Sequence, residues 1–216
     1  MPRTFVFDAY GTLFDVHSVQ SRCEAFWPGM GAQVSQLWRA KQLEYTWQRS
    51  LMQRYAPFSR VTRDALEFSC QFLKIELESE RTGILMEEYL NLSPYADVPG
   101  ALELLKGRKL AILTNGSPDM IGPLVRNSGM AKAFDAVLSV DALKIYKPAP
   151  QVYQLAVDRL GVAAEEIGFV SSNCWDAIGA KSFGFSVYWI NRGSAPVDRL
   201  GFQPDRIVKG LNEILL

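Results

Sequence analysis

Apolar positions along this chain follow two different rhythms. Near the start, Phe5-Val6-Phe7 is an unbroken apolar run that stops at Asp8, with a turn glycine, Gly11, just beyond. A run bounded in that way predicts a strand of a parallel sheet covered on both faces. From residue 15 to 96 the recurrence lengthens to three and four, which predicts helices and no strands. A short helix is predicted over 18–27, stopped by Pro28-Gly29, and a long one over 33–52. In the long one Ala40, Leu43, Trp47 and Leu51 form the predicted buried stripe, with Arg39 at its edge. Thr62 is predicted to cap a third helix with Leu66, Cys70, Leu73 and Leu77 inward, and Ser79 a fourth running to about Leu92.

From Pro99 onward strands and helices alternate. Strands are predicted at 110–113, 136–140, 167–170 and 186–190, with an edge strand at 206–208. Helices are predicted over 100–106, from about Pro118, and after Pro150 with Val152, Leu155, Ala156 and Leu160 inward and Gly161 as the stop. Gly122-Pro123 should kink the second of these or delay its start. The alternation predicts a three-layer α/β sandwich, a parallel Rossmann-like sheet with right-handed crossovers. Residues 1–14 and 97–216 are expected to form this core, and 15–96 a helical cap inserted after its first strand.

Composition narrows the function. The 216 residues are 48% hydrophobic and 21% charged, enough for a substantial core with a small insert. Lys plus Arg and Asp plus Glu are both 23, so nucleic acid and anionic membrane are poor partners, while a small anionic substrate stays open. Cys23, Cys70 and Cys174 are scattered and odd in number, which fits a reduced compartment; with no signal peptide or membrane span expected, the protein is placed in the cytoplasm. Cys174 has no basic partner in view and is read as a bystander. The single histidine, His17, excludes chemistry that needs paired histidines and is read as opening the first cap helix.

Polar clusters fall where the predicted strands end: Asp8 to Thr12, Thr114-Asn115 and Ser171 to Asp176, with Lys147 ahead of a helix. In a parallel sheet these ends share one edge, which is where such sheets carry their chemistry. Each cluster alone is ordinary turn composition, but four on one edge predict an active site. Lys147 beside Asp8 favours the ionised carboxylate. Such a carboxylate, oriented and partly desolvated, is a nucleophile, and holding it in line with the reacting atom supplies about 7–11 kcal/mol. Ser171, Ser172 and Asn173 are neutral, with only Asp176 a turn further on, a poor set for a hard divalent ion. The site is therefore expected to be free of metal.

The run Asp8-Ala9-Tyr10-Gly11-Thr12-Leu13-Phe14-Asp15 resembles the first motif of the haloacid dehalogenase superfamily, in the form carried by the L-2-haloacid dehalogenases. Superfamily phosphatases have a second Asp two places after the first; here that place is Tyr10, which cannot protonate a leaving alcohol near neutral pH. The likeness extends through Trp38-Arg39-Ala40-Lys41-Gln42-Leu43-Glu44-Tyr45 and covers nearly the whole chain. It implies hydrolysis of short (S)-2-haloacids to (R)-2-hydroxyacids and halide through an aspartyl ester, with inversion at C2. By the same resemblance Asp8 is the nucleophile, held by Thr12, Ser171 and Asn173, and Arg39 and Asn115 receive the halide. A cation at 4 Å is worth about 4 kcal/mol there at an effective dielectric near 20. The N–H groups of Ala9 and Tyr10 and the Thr114 hydroxyl would take the substrate carboxylate. Tyr10, Leu43, Phe58, Lys147, Asn173 and Trp175 would line the alkyl side, and Asp176 or Lys147 would activate the hydrolytic water.

No cofactor is implied. A homodimer through the cap is, and Trp38, Tyr45, Trp47 and Tyr55 exceed what a small bundle needs. The family often has Gln where Ala40 stands, so a pocket with one polar group fewer and more room is expected. Two other readings stay open. A Mg²⁺-dependent phosphatase of the same fold is opposed by Tyr10 and Asn173. A non-enzymatic interaction protein using the aromatic cap is opposed by the intact set Asp8, Arg39, Asn115, Lys147 and Asp176.

Overall fold

Strand β1 (Thr4–Phe7) is buried along its whole length and lies inside the sheet, hydrogen-bonded to a neighbour on either side. The computed structural model describes residues 2–215. The chain then forms four helices, α1 (Gln20–Phe26), α2 (Gly31–Leu51), α3 (Phe58–Phe72) and α4 (Ser79–Glu88), before returning to the sheet. Then come α5 (Val98–Leu104), β2 (Lys109–Thr114), α6 (Pro118–Asn127), β3 (Ala136–Ser139), α7 (Pro150–Leu160), β4 (Ile167–Ser171), α8 (Cys174–Phe183), β5 (Ser186–Ile190) and β6 (Arg206–Val208). The six strands run parallel in the order β3-β2-β1-β4-β5-β6. The order turns back between β1 and β4, the place where loops above a parallel sheet part to admit a ligand. Phe7 pairs with Ile112 on one side and Val170 on the other, which sets Asp8 level with Ser171. The Asp8 N–H donates to the Val170 carbonyl at 2.9 Å.

The outgoing and returning chains of the helical insert are tied together. Asp15 N–H donates to the Ser93 carbonyl at 2.8 Å and Tyr95 N–H to the Leu13 carbonyl at 3.0 Å. Among the described residues no helix is long and apolar enough to cross a membrane.

The sheet and α7 follow the sequence pattern closely; the insert does not. In α2 the buried positions are Gly31, Val34, Ser35, Trp38, Gln42 and Thr46, whereas Ala40 and Leu51 are exposed and Leu43 and Trp47 half-buried. The buried face is turned away from the apolar stripe, and its polar members are partnered there: Gln42 with Thr62 of α3, Thr46 with the Leu43 carbonyl of its own helix and Ser35 with His17. Helix α3 begins at Phe58, after Pro57, so Thr62 is interior rather than a cap, and its hydroxyl donates back to the Phe58 carbonyl at 2.7 Å. Proline here starts a helix rather than ending one. Ser79 is the first residue of α4, with Glu78 at the cap, and α4 stops at Glu88, short of Leu92. Helix α5 starts two residues earlier than its glycine suggests, at Val98. Helix α6 begins at Pro118 and continues through Pro123 without a delayed start. The extra aromatics of the insert are used within the chain, two inside the insert, Trp38 on Tyr89 (4.8 Å between ring centres) and Tyr45 on Phe68 (6.2 Å), and two against the core, Trp47 on Trp175 (5.4 Å) and Tyr55 on Tyr146 (5.1 Å).

Candidate active site

Beyond Phe7 the chain turns sharply, and Gly11 takes a φ of +90°, which side-chain-bearing residues rarely adopt. That turn brings Thr12 back to the strand end. Its hydroxyl donates to Asp8 Oδ2 at 2.9 Å and accepts the Ser172 N–H at 2.9 Å. Asn173 Nδ2 donates to the same Oδ2 at 2.8 Å and to the Tyr10 carbonyl at 3.1 Å. Lys147 Nζ holds Asp8 Oδ1 at 3.1 Å and Asp176 Oδ2 at 2.9 Å, while its backbone N–H donates to Asn115 Oδ1 at 2.9 Å. Three strand ends and the loop before α7 are thereby locked around one carboxylate.

Asp8, Asn115 and Asn173 from the core share a cavity with Arg39, Leu43 and Phe58 from the insert, closed by Tyr10 and Trp175. The two parts close tightly on it, leaving a free volume of about 10 Å³, the space of roughly one water. The Tyr10 ring lies against Phe58 at 5.3 Å and leaves no room for a side chain at Gly116, where a Cβ would meet the ring at 2.7 Å. Arg39 spans the two parts: Nη2 donates to the Tyr10 carbonyl at 3.2 Å and Nη1 to Gln42 Oε1 at 2.7 Å. Burial pulls its pKa below the usual arginine value. The wider groove beside α3 and α4, with Arg63 and Glu67 on its walls, exposes its ionic groups to water.

Two buried carboxylates share one ammonium. Burial lowers Lys147, but Asp176 and Asp8 together outweigh that and hold it above the ordinary lysine value. Asp176 is pushed up to about 6, first by desolvation and then by the negative charge of Asp8, against the opposing pull of Lys147.

The haloacid dehalogenase-like hydrolase family matches residues 2–184. The chain belongs to that family. An (S)-2-haloacid dehalogenase from Pseudomonas sp. (strain YL) is 49% identical over 97% of this chain and 91% of the relative. Haloacetate dehalogenase H-2 from Moraxella sp. (strain B) is 46% identical over 97% of this chain and 94% of the relative. A solved L-2-haloacid dehalogenase from Xanthobacter autotrophicus, with chloropropionic acid covalently bound, aligns with a TM-score of 0.92 at 42% identity, covering 98% of this chain and 96% of that one.

In this haloacid dehalogenase-like hydrolase most of the expected site residues converge, with informative exceptions. Ala9 and Thr114 are fully buried and do not line the cavity; Thr114 Oγ1 accepts the Gly116 N–H at 3.0 Å. Ser171, expected on Asp8, instead donates to Asp176 Oδ2 at 3.2 Å. Ala40 is exposed and outside the cavity, so the departure there neither enlarges the pocket nor removes a polar group from it. Three further residues support the site. Tyr153 donates to Asp176 Oδ1 at 2.8 Å, and its own pKa is raised well above the usual value by burial and by that carboxylate. Ser172 secures the turn through the Gly11 carbonyl, and Gln42 holds Arg39. The signal for Tyr153 was a tyrosine on the inward face of α7, since a buried phenol needs a partner for its hydroxyl.

Proposed function

We propose that this protein hydrolyses short (S)-2-haloalkanoic acids to (R)-2-hydroxyacids and halide. One observation carries the reading: a carboxylate held on both oxygens shares a small, largely apolar cavity with a buried guanidinium. Asp8 attacks C2 from the face opposite the halogen, and the carbon–halogen electron pair leaves as halide toward Arg39 and Asn115. Oδ1, with Lys147 as partner, becomes the ester oxygen. Oδ2 keeps the Thr12 and Asn173 donors, which stabilise negative charge when water adds to the Asp8 carboxyl carbon. Asp176 takes the proton from that water and returns it to the departing hydroxyacid. A pKa of about 6 leaves it ionised at neutral pH yet basic enough to accept the proton, which favours it over the protonated Lys147. Tyr10, Leu43, Phe58 and Trp175 form the alkyl walls, and the Tyr10 N–H takes the substrate carboxylate, Ala9 and Thr114 being buried outside the cavity. Ser171 and Tyr153 orient Asp176.

The donor set does not suit a divalent ion. Ser171, Ser172 and Asn173 are neutral, and Lys147 Nζ already lies between the two carboxylates. Among the described residues no group of three His, Cys, Asp or Glu side chains is placed to hold a metal. Residues 15–96 act as a cap over a core of 1–14 and 97–216, contributing Arg39, Leu43 and Phe58. A homodimer through that cap belongs to the same reading. It rests on exposed Leu51, Met52 and Phe72 rather than on the aromatics used internally, and a monomeric mass in solution would remove it.

The test is chloride release from (S)- and (R)-2-chloropropionate by chelator-treated protein, with the handedness of the product determined. Single turnover in ¹⁸O-water should place label in Asp8 and none directly in the hydroxyacid. Retained configuration, label passing straight to product, or loss of activity with chelator would each sink the reading.

A further inference from the structure

Arg39, Gln42 and Thr62 form a one-way chain of hydrogen bonds from α2 to α3. Arg39 Nη1 donates to Gln42 Oε1 at 2.7 Å, Gln42 Nε2 to Thr62 Oγ1 at 2.8 Å, and Thr62 Oγ1 to the Phe58 carbonyl at 2.7 Å. The direction is forced. A guanidinium has only donors, so Gln42 must turn its oxygen toward Arg39. Its amide nitrogen then faces Thr62, whose hydroxyl must accept and pass its own hydrogen on to Phe58. Trp38 donates its indole N–H to the Thr62 carbonyl at 2.7 Å and clamps the helices at the same level.

Gln42 and Thr62 are both 0% exposed. An amide in the dry seam of two helices is unfavourable unless both its ends are partnered, so packing alone would place an apolar residue there. Gln42 does not line the cavity, so any effect it has on the reaction passes through Arg39.

We propose that Gln42, oriented by Thr62, is the positioning residue for the Arg39 guanidinium and so sets how firmly the cavity holds a departing halide. This rests on the reading of Arg39 as the leaving-group cation. Without Gln42 the guanidinium keeps only its longer tie to the Tyr10 carbonyl at 3.2 Å and is free to turn.

The experiment compares wild type, Q42L, T62V and the double variant on (S)-2-chloro- and (S)-2-bromopropionate, with inhibition by added chloride and a thermal melt. Chloride is smaller than bromide, concentrates its charge, and depends more on well-placed donors. Q42L should lower turnover of the chloro substrate about tenfold, the scale of one charge-assisted hydrogen bond, and of the bromo substrate distinctly less. Its chloride inhibition constant should rise by a similar factor. T62V keeps the shape of the side chain and should shift both readouts the same way, about threefold, so it carries the test if Q42L fails to fold. The double variant should be no worse than Q42L, because Thr62 acts through Gln42. A wild-type ratio between the two halides in Q42L and T62V, unchanged chloride inhibition, or additive losses would overturn the proposal and leave the dehalogenase reading standing. No halide release by wild type itself would instead overturn that reading.

Discussion

The two walls of the cavity are built by different rules. The core wall comes from strand ends: Asp8 after β1, Asn115 after β2, and Ser171 to Asp176 around the β4–α8 junction. Pairing register brings those ends to one level, so chemistry placed there converges whatever the connecting helices do. The insert wall comes from helix faces, and a helix has no topological landmark that says which face will meet the substrate. Arg39, Leu43 and Trp47 lie four residues apart on α2 and look toward the cavity and its Trp175 wall, while Gln42 and Thr46 are buried in the seam with α3. Polarity therefore locates function in the core, whereas in the insert it first satisfies packing between helices.

The sharpest way to break the comparison is at the core wall. Asp8→Asn should reduce halide release by roughly 10⁴-fold or more, since no other group there can form the ester. Chloride release, with deamidation monitored by mass, checks it; full turnover would mean that the strand-end logic points at the wrong residue. The insert wall should cost less. Arg39→Ala is expected to lose about 10²–10³-fold in turnover, the scale of one preorganised donor to developing charge. Arg39→Lys should recover part of it, keeping the charge but not the fork that reaches both Gln42 and Tyr10.

A third effect is graded by pH. Because Asp176 is raised to about 6, it becomes protonated below that pH and can no longer accept a proton. Turnover should fall about tenfold per unit as pH drops below 6, provided hydrolysis of the ester limits the rate. Tyr153→Phe removes a donor that favours the ionised form, so the limb should move to higher pH. A pH profile flat from 5 to 8 in the hydrolytic step would remove Asp176 from that role. Smallest of all, Ala40→Gln should change KM and chain-length preference by less than about twofold, because the position faces solvent away from the cavity. A marked change there would show that the face of α2 has been misassigned.

The sequence by itself determined the alternation of strands and helices, the interruption after the first strand, and the carboxylate, amide and lysine at the strand ends. Those features are local: an apolar run of fixed length, a glycine that permits the turn, a polar residue where the run stops. Tertiary structure alone decided that Ser171 serves Asp176 rather than Asp8, that Tyr153 reaches the same carboxylate, and that Ala40 looks outward. It also decided that α3 starts at Phe58, which makes Thr62 an interior partner for Gln42 instead of a cap. The physical reason is common to all of these. A polar side chain on a helix is equally content in water or fully partnered in a buried seam, and only the arrival of a second element shows which of the two it has.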